Sequence, residues 1–325
     1  MAFKTFVISN PGGRAANEDC AGYLESERAG CWVVADGLGG HAGGATASHV
    51  AVDAALDSFR ANPQITHEAL ESHLRAADAA IRERQCDPAL SNMRSTIVML
   101  LAGEREAISG HLGDSRLYQF QAGRVAYQTR DHSVPGALAA SGAIGAGDIR
   151  FHEDRSRLLR SLGNDSPLKP AIETRTLCQG DTFLLCTDGF WEYISEIEME
   201  VDYAKAQGPA DWLRFMSARL LTRAKPDHDN YTAVGVCFQS PNAPDPPMPG
   251  ALRRKPGAKV GKDSVLFGIV GVLLMILVLS LAVVRWPDRA LAACRTARGL
   301  VTHSAASKPG APSPSRKDET SEIVR

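Results

Sequence analysis

Six stretches in the first 240 residues combine apolar and β-branched side chains over strand-like lengths: 4–9, 31–35, 95–101, 116–120, 182–186 and 232–238. Short runs of that kind, set off by Gly, Pro, Asn and Asp, predict β-strands. Between the second and third, Val52, Ala55, Leu56 and Phe59 recur at helical spacing, and Leu70, Leu74, Ala77 and Ile81 do so in the next segment. Two helices therefore stand side by side early, with strands before and after. That order predicts packed sheets with helices on the outside, not a strictly alternating parallel α/β fold.

The pattern changes at residue 240. SPNAPDPPMPG over 240–250 carries five prolines in eleven residues, and such a run predicts an extended, semi-rigid linker. RRKPGAKVGK follows over 253–262, then VLFGIVGVLLMILVLSLAVV over 265–284 without a charged residue. Twenty such residues as a helix span about 30 Å, the thickness of a bilayer's hydrocarbon core. A buried core helix of that length would carry a polar face, so a membrane-spanning helix is expected. The expected organisation is a folded domain over 1–240, a Pro-rich then basic linker over 241–263, a transmembrane helix over 264–285 and a disordered tail over 286–325. Five basic residues precede the apolar run and four follow it, a margin that decides little about orientation. The first ten residues read as a strand and show no charged leader ahead of a long apolar run. A single-pass membrane protein with the folded domain on the cytoplasmic side is expected.

With 36 basic against 37 acidic side chains, the chain lacks the basic excess of a nucleic-acid binder, so no nucleic-acid partner is expected. Seven scattered cysteines contain no C-x-x-C pair and read as reduced thiols. Nothing resembles a His/Cys zinc pattern.

Several expected strands run into aspartate: VVADG at Asp36–Gly37, LLCTDG at Asp188–Gly189 and HLGDS at Asp114. Any one alone is an ordinary turn signal. Together with Asp19 and Asp229 they form a set that facing sheets would gather at strand ends. Clustered carboxylates repel one another, and a hard divalent cation such as magnesium or manganese is the usual remedy.

The chain resembles the PPM, or type 2C, metal-dependent phosphatases through seven ordered motifs. R-A-A-N-E-D (14–19), D-G-L-G-G-H-A-G-G (36–44) and G-D-S-R (113–116) come first. D-H-S (131–133), L-L-R-S-L-G (158–163), L-L-C-T-D-G-F (184–190) and H-D-N-Y-T (228–232) follow, so that nearly all of 1–240 is covered. The resemblance implies an α+β fold, a four-layer αββα sandwich of two antiparallel sheets flanked by helices, with metals in a cleft at one end. It implies that Asp36 bridges two Mn2+ or Mg2+ ions, that the Gly37 carbonyl holds one of them, and that Asp188 and Asp229 complete the other's shell. Asp19, next to Glu18, would act directly or through water, and Asp114 would help hold a possible third ion. Arg14 would grip the substrate phosphate. His41 is the nearest candidate for a general acid.

These roles are chemically coherent. Two adjacent divalent ions lower the pKa of a shared water and clamp a phosphoryl group in line. The guanidinium of Arg14 offers a planar fork to phosphate oxygens. His41 is of the residue type that titrates near neutrality. Many members of the family carry that histidine directly after Asp-Gly, where this chain has Leu38, so a bound water is the alternative proton donor. His111, His132 and His228 lie near motifs without an assigned role, and Trp32, Trp191 and Trp212 read as packing residues. The segment 134–154, rich in Gly and Ala, occupies the family's flap.

The expected function is hydrolysis of phosphoserine and phosphothreonine in proteins, opposing a serine/threonine kinase at the membrane. The expected location is the bacterial inner (cytoplasmic) membrane, single-pass, with the catalytic domain cytoplasmic. The rival readings are a non-catalytic phosphoprotein-binding module and a small-molecule phosphomonoesterase. Expected partners are phosphorylated proteins, a cognate serine/threonine kinase, and membrane lipid through one helix.

Overall fold

The computed structural model describes residues 2–39, 42–164 and 167–239. The chain divides into two compact units, Met1–Ala251 and Leu252–Arg325, and every described residue belongs to the first. In chain order the strands are β1 (Ala2–Asn10), β2 (Asp19–Glu25), β3 (Gly30–Leu38), β4 (Arg94–Ser95), β5 (Ile97–Ala102), β6 (Glu106–Leu112), β7 (Arg116–Gln121), β8 (Arg124–Gln128), β9 (Ala171–Thr176), β10 (Thr182–Cys186) and β11 (Tyr231–Gln239). The helices are α1 (Ala42–Ala61), α2 (His67–Arg84), α3 (Val134–Ala140), α4 (Asp188–Trp191), α5 (Glu196–Lys205) and α6 (Pro209–Arg223).

Two antiparallel sheets result, one ordered β1-β11-β10-β7-β8 and the other β2-β3-β5-β6-β9 with β4 attached to β3. Alternation along the central strands explains the layering, because successive side chains point to opposite faces. In β3, Trp32 and Val34 join Val98, Leu100, Phe183, Leu185, Val234 and Val236 between the sheets. Cys31, Val33 and Ala35 face the other way, onto Ala51, Ala55, Leu70 and Leu74 of α1 and α2. On the opposite sheet, Leu184 and Cys186 pack with Trp212, Leu213 and Met216 beneath α5 and α6. Strands buried on both faces read as continuous apolar runs, which is why β3, β5, β10 and β11 stand out in the sequence. The expected αββα arrangement of two antiparallel sheets with flanking helices is what the structure has.

Local chemistry fixes the helix ends. Thr66 caps α2 by accepting from the Ala69 amide at 3.1 Å, Ser195 and Glu198 form a capping box on α5, and Pro209 opens α6. The expected linker, spanning helix and tail lie outside the described residues. Among the described residues, no helix is long and apolar enough to cross a membrane. Six cysteines there are free thiols.

Candidate active site

The strand ends explain how aspartates distant in sequence meet. Asp19 opens β2 and sits directly across from Asp36 on β3. Cys186, the last residue of β10, pairs with Arg116, the first of β7, so Asp188 and Asp114 flank the same edge. Asp229 precedes β11, whose first residue Tyr231 pairs with Asn10 at the end of β1. Asp36 lies inside β3, not beyond it: the strand continues through Gly37 and Leu38, which pair with Ser95 and Arg94. The Asp36–Gly37 turn signal therefore misplaces the strand end, because β4 supplies a partner that extends the ladder. A β-carbon on Gly37 would collide with the Gly44 carbonyl, so glycine lets the start of α1 approach Asp36.

Hydrogen bonds hold each element of the edge. The Asp36 amide donates to Thr96 Oγ1 at 3.0 Å, and Ser95 Oγ donates to the Asp36 carbonyl at 2.9 Å. Thr187 Oγ1 donates to Asp19 Oδ2 at 2.8 Å and accepts from the Thr232 amide at 3.0 Å. Trp191 Nε1 donates to the Asp114 carbonyl at 3.0 Å. Asn230 is buried, accepts from the Glu18 amide at 2.8 Å, and donates to the carbonyls of Pro11 and Ala16 at 2.8 and 2.9 Å. It thereby fixes both ends of the loop that carries Arg14. The expectations from sequence gave Asn230, Thr187 and Thr96 no role; the adjacency of Asn230 to Asp229 and of Thr187 to Asp188 was the available signal. Arg14 Nη2 lies 3.1 Å from Asp229 Oδ2, and both side chains are about half exposed (55% and 53%), so the remaining guanidinium donors face solvent. His41 lies outside the described residues. His111 and His132 stack at 4.5 Å, and burial, then the charges of His111 and Arg160, push His132 down to about 3, which makes it a neutral packing group.

The electrostatics are those of crowded carboxylates. Burial, followed by the charges of Asp188, Asp19, Asp114 and Asp229, pushes Asp36 well above the ordinary carboxylate range. Asp114 rises for burial and then Asp188. Burial, with the charges of Asp188 and Asp229 behind it, takes Asp19 to about 7. Asp188 is raised to about 6 by burial and then Asp229. Such a group fits a hard divalent cation: its donors are all oxygens, and cationic charge would relieve the repulsion. Among the described residues no three such side chains share a ready ligation point. Several of their oxygens are turned to local partners instead: Asp19 to Thr187, Asp188 to the Gly189 amide, Asp229 to Arg14 and the Asn230 amide. The fit lies in donor chemistry and placement, and loading would exchange those bonds.

A pH dependence follows. Folded values above the ordinary 3.8 mean that these groups favour folding below about pH 4 and lose that contribution as pH rises through about 6 to 7. A cation binds the ionised carboxylates, so the melting-temperature gain on adding manganese should be larger at pH 7.5 than at pH 5.5. Equal gains in thermal melts at the two pH values would contradict this.

Comparisons with known proteins bear on the family and the fold. The family model described as Protein phosphatase 2C matches residues 13–229. The chain is 30% identical over 194 residues to the serine/threonine phosphatase stp of Listeria welshimeri, covering 58% of this chain and 77% of that protein. PppA of Pseudomonas aeruginosa, described as a key regulatory component of T6SS, superposes with a TM-score of 0.61 at 30% identity over 73% of this chain and 99% of that one. The catalytic domain of the serine/threonine protein phosphatase PstP, solved with 2 manganese ions, gives a TM-score of 0.64 at 26% identity over 73% of this chain and 99% of that one. The chain belongs to the protein phosphatase 2C family of metal-dependent serine/threonine protein phosphatases, and is a hydrolase.

Proposed function

We propose that this chain removes phosphate from phosphoserine and phosphothreonine in proteins at a bacterial membrane, opposing a serine/threonine kinase there. The observation that carries the reading is the convergence of Asp19, Asp36, Asp114, Asp188 and Asp229 on one edge between the sheets, with Arg14 at its rim. In this reading Asp36, the Gly37 carbonyl, Asp188 and Asp229 would hold two Mn2+ or Mg2+ ions, Asp19 with Glu18 behind it would support them, and Asp114 would serve a third. When bound, such ions supply Lewis acidity toward phosphoryl oxygens and lower the pKa of water.

The chain's own residues do the rest. Arg14, on a loop clamped by Asn230, presents its free donors to the phosphate and orients it. The hydrogen bond from the Asp36 amide to Thr96, and those donated by Ser95 and Thr187, hold Asp36 and Asp19 in place, so that little reorganisation accompanies reaction. His41, or water in its stead, protonates the departing serine or threonine oxygen. The apolar run at 265–284 supports a membrane tether, which would raise the effective concentration of substrates beside the bilayer.

The test is phosphate release from a phosphothreonine peptide with manganese and with chelator; no turnover with manganese present would sink the reading. Arg14→Lys keeps the charge but loses the fork, so KM for the peptide should rise about tenfold while kcat changes less. An unchanged KM would remove Arg14 from phosphate binding. Membrane fractionation of the producing cells tests the tether, and recovery of the chain outside the membrane fraction would overturn it.

A further inference from the structure

Beside the turn that carries Asp188, a cavity of about 770 Å3 opens between the flap and the segments around α5 and α6. Cavities of several hundred Å3 accept ligands much larger than a phosphate group. Its charged lining is mostly paired off. Arg150 Nη2 lies 3.0 Å from both Glu196 oxygens, Arg155 Nε lies 3.0 Å from Glu192 Oε1, and Arg223 Nη1 lies 2.9 Å from Glu198 Oε2. Lys225 and Phe151, also in the lining, stand outside those pairs. Lys225 is exposed and has no ion pair among the described residues, so it supplies the one positive charge not matched by a glutamate. Phe151 is 81% exposed, although the preceding Arg150 is pinned to the Ile194 carbonyl at 3.0 Å. The anchored neighbour fixes where the ring stands, so Phe151 offers an apolar contact at the cavity wall.

Backbone hydrogen bonds tie two walls of the cavity to the segments that carry Asp188 and Arg14. The Glu192 amide donates to the Asp188 carbonyl at 2.9 Å. On the other wall, the Lys225 carbonyl accepts from the His228 amide at 3.1 Å, and the His228 carbonyl accepts from the Gly13 amide at 2.9 Å, next to Arg14. A polypeptide whose phosphate sits between Arg14 and the aspartates therefore has this cavity within reach of its flanking residues. We infer that the cavity receives the substrate segment beside the phosphorylated residue, with an acidic side chain meeting Lys225 and an apolar side chain packing on Phe151. This rests on the phosphatase reading above and adds to it a substrate class: phosphopeptides with acidic and apolar flanks.

The experiment uses the full chain with manganese, four phosphothreonine peptides and p-nitrophenyl phosphate. The peptides carry glutamate or lysine, and leucine or serine, at positions flanking the phosphothreonine. The unmodified chain should favour the glutamate- and leucine-bearing peptides. Lys225→Glu should lower kcat/KM for the glutamate peptides about tenfold and raise it for the lysine peptides, the size of reversing one exposed charge contact. Phe151→Ala should lower kcat/KM about fivefold for the leucine peptides, through KM. Both variants should hydrolyse p-nitrophenyl phosphate as the unmodified chain does, because that substrate does not reach the cavity. An unchanged preference between glutamate and lysine in Lys225→Glu overturns the inference, as does an equal loss on every substrate. If the unmodified chain turns over neither p-nitrophenyl phosphate nor any peptide, the phosphatase reading is what has failed. Fluorescence anisotropy of the same labelled peptides then reads the cavity directly, and an affinity order untouched by Lys225→Glu overturns the inference there too.

Discussion

Asp36→Asn is expected to slow phosphate release by about a thousandfold or more, the rate equivalent of about 4 kcal/mol. At the same time it should raise the melting temperature of the chelated protein. Both effects follow from one fact. Asp36 sits among Asp19, Asp114, Asp188 and Asp229, and burial and their charges oppose its ionisation. Asparagine keeps the shape and the backbone bonds to Thr96 and Ser95 but removes the charge. The repulsion falls, so the chelated fold gains; cation affinity falls, so the reaction suffers. Opposite signs in stability and activity are the mark of a site kept for function at the expense of folding. The measurement pairs phosphate release with thermal melts in chelator and in manganese. A variant within tenfold of the unmodified rate would show that Asp36 is not central, and a variant that melts lower in chelator would show that its carboxylate is a structural group.

Much of this architecture was open to reading because of where burial falls. Strands β3, β10 and β11 are buried on both faces, so their side chains form unbroken apolar runs. Strands β2, β8 and β9 lie at sheet edges, where DCAGYLE, RVAYQ and AIETRT interrupt their apolar residues with polar ones and leave nearly every position partly exposed, and none was expected. Strand β6 is buried but reads EAISGHL, with Gly110 leaving room for Leu70 and Leu74 and so diluting the signal. Helices α5 and α6 also escaped. EIEMEVDYAK buries only Met199 and Asp202, although the Ser195–Glu198 capping box and Pro209 before Trp212, Leu213, Met216 and Leu220 were legible start signals. At the site, strand-terminal aspartates were readable because a carboxylate after an apolar run is conspicuous. The residues that aim them were not, since Thr96, Thr187 and Asn230 act through partners up to 219 positions away.

The buried pair behind the site should matter most for stability. Arg116 and Asp131 are 2% and 1% exposed, and the guanidinium donates twice to the carboxylate, at 2.9 and 2.7 Å. It also donates to Tyr118 at 3.0 Å and lies 3.3 Å over the Trp191 ring. Asp131→Ala strands a charge in that enclosure and should cost about 3–5 kcal/mol in urea denaturation. The double change Arg116→Met with Asp131→Leu removes both charges and should be less destabilising than Asp131→Ala alone, because the desolvation penalty goes with the pair. Activity should separate from stability here. Trp191, stacked on Arg116, holds the Asp114 carbonyl, and the His132 amide next to Asp131 donates to the Gly113 carbonyl at 2.9 Å. The apolar pair can fill the space yet cannot reproduce the bidentate bond that sets the register of those two loops. The double variant should therefore fold, but bind manganese less tightly than the unmodified chain when followed by calorimetry. Unchanged manganese affinity in the folded double variant would show that the pair supports the core alone, and an Asp131→Ala cost below about 1 kcal/mol would show that Glu196 offsets the charge of Arg116 without it, with Tyr118 accepting a hydrogen bond.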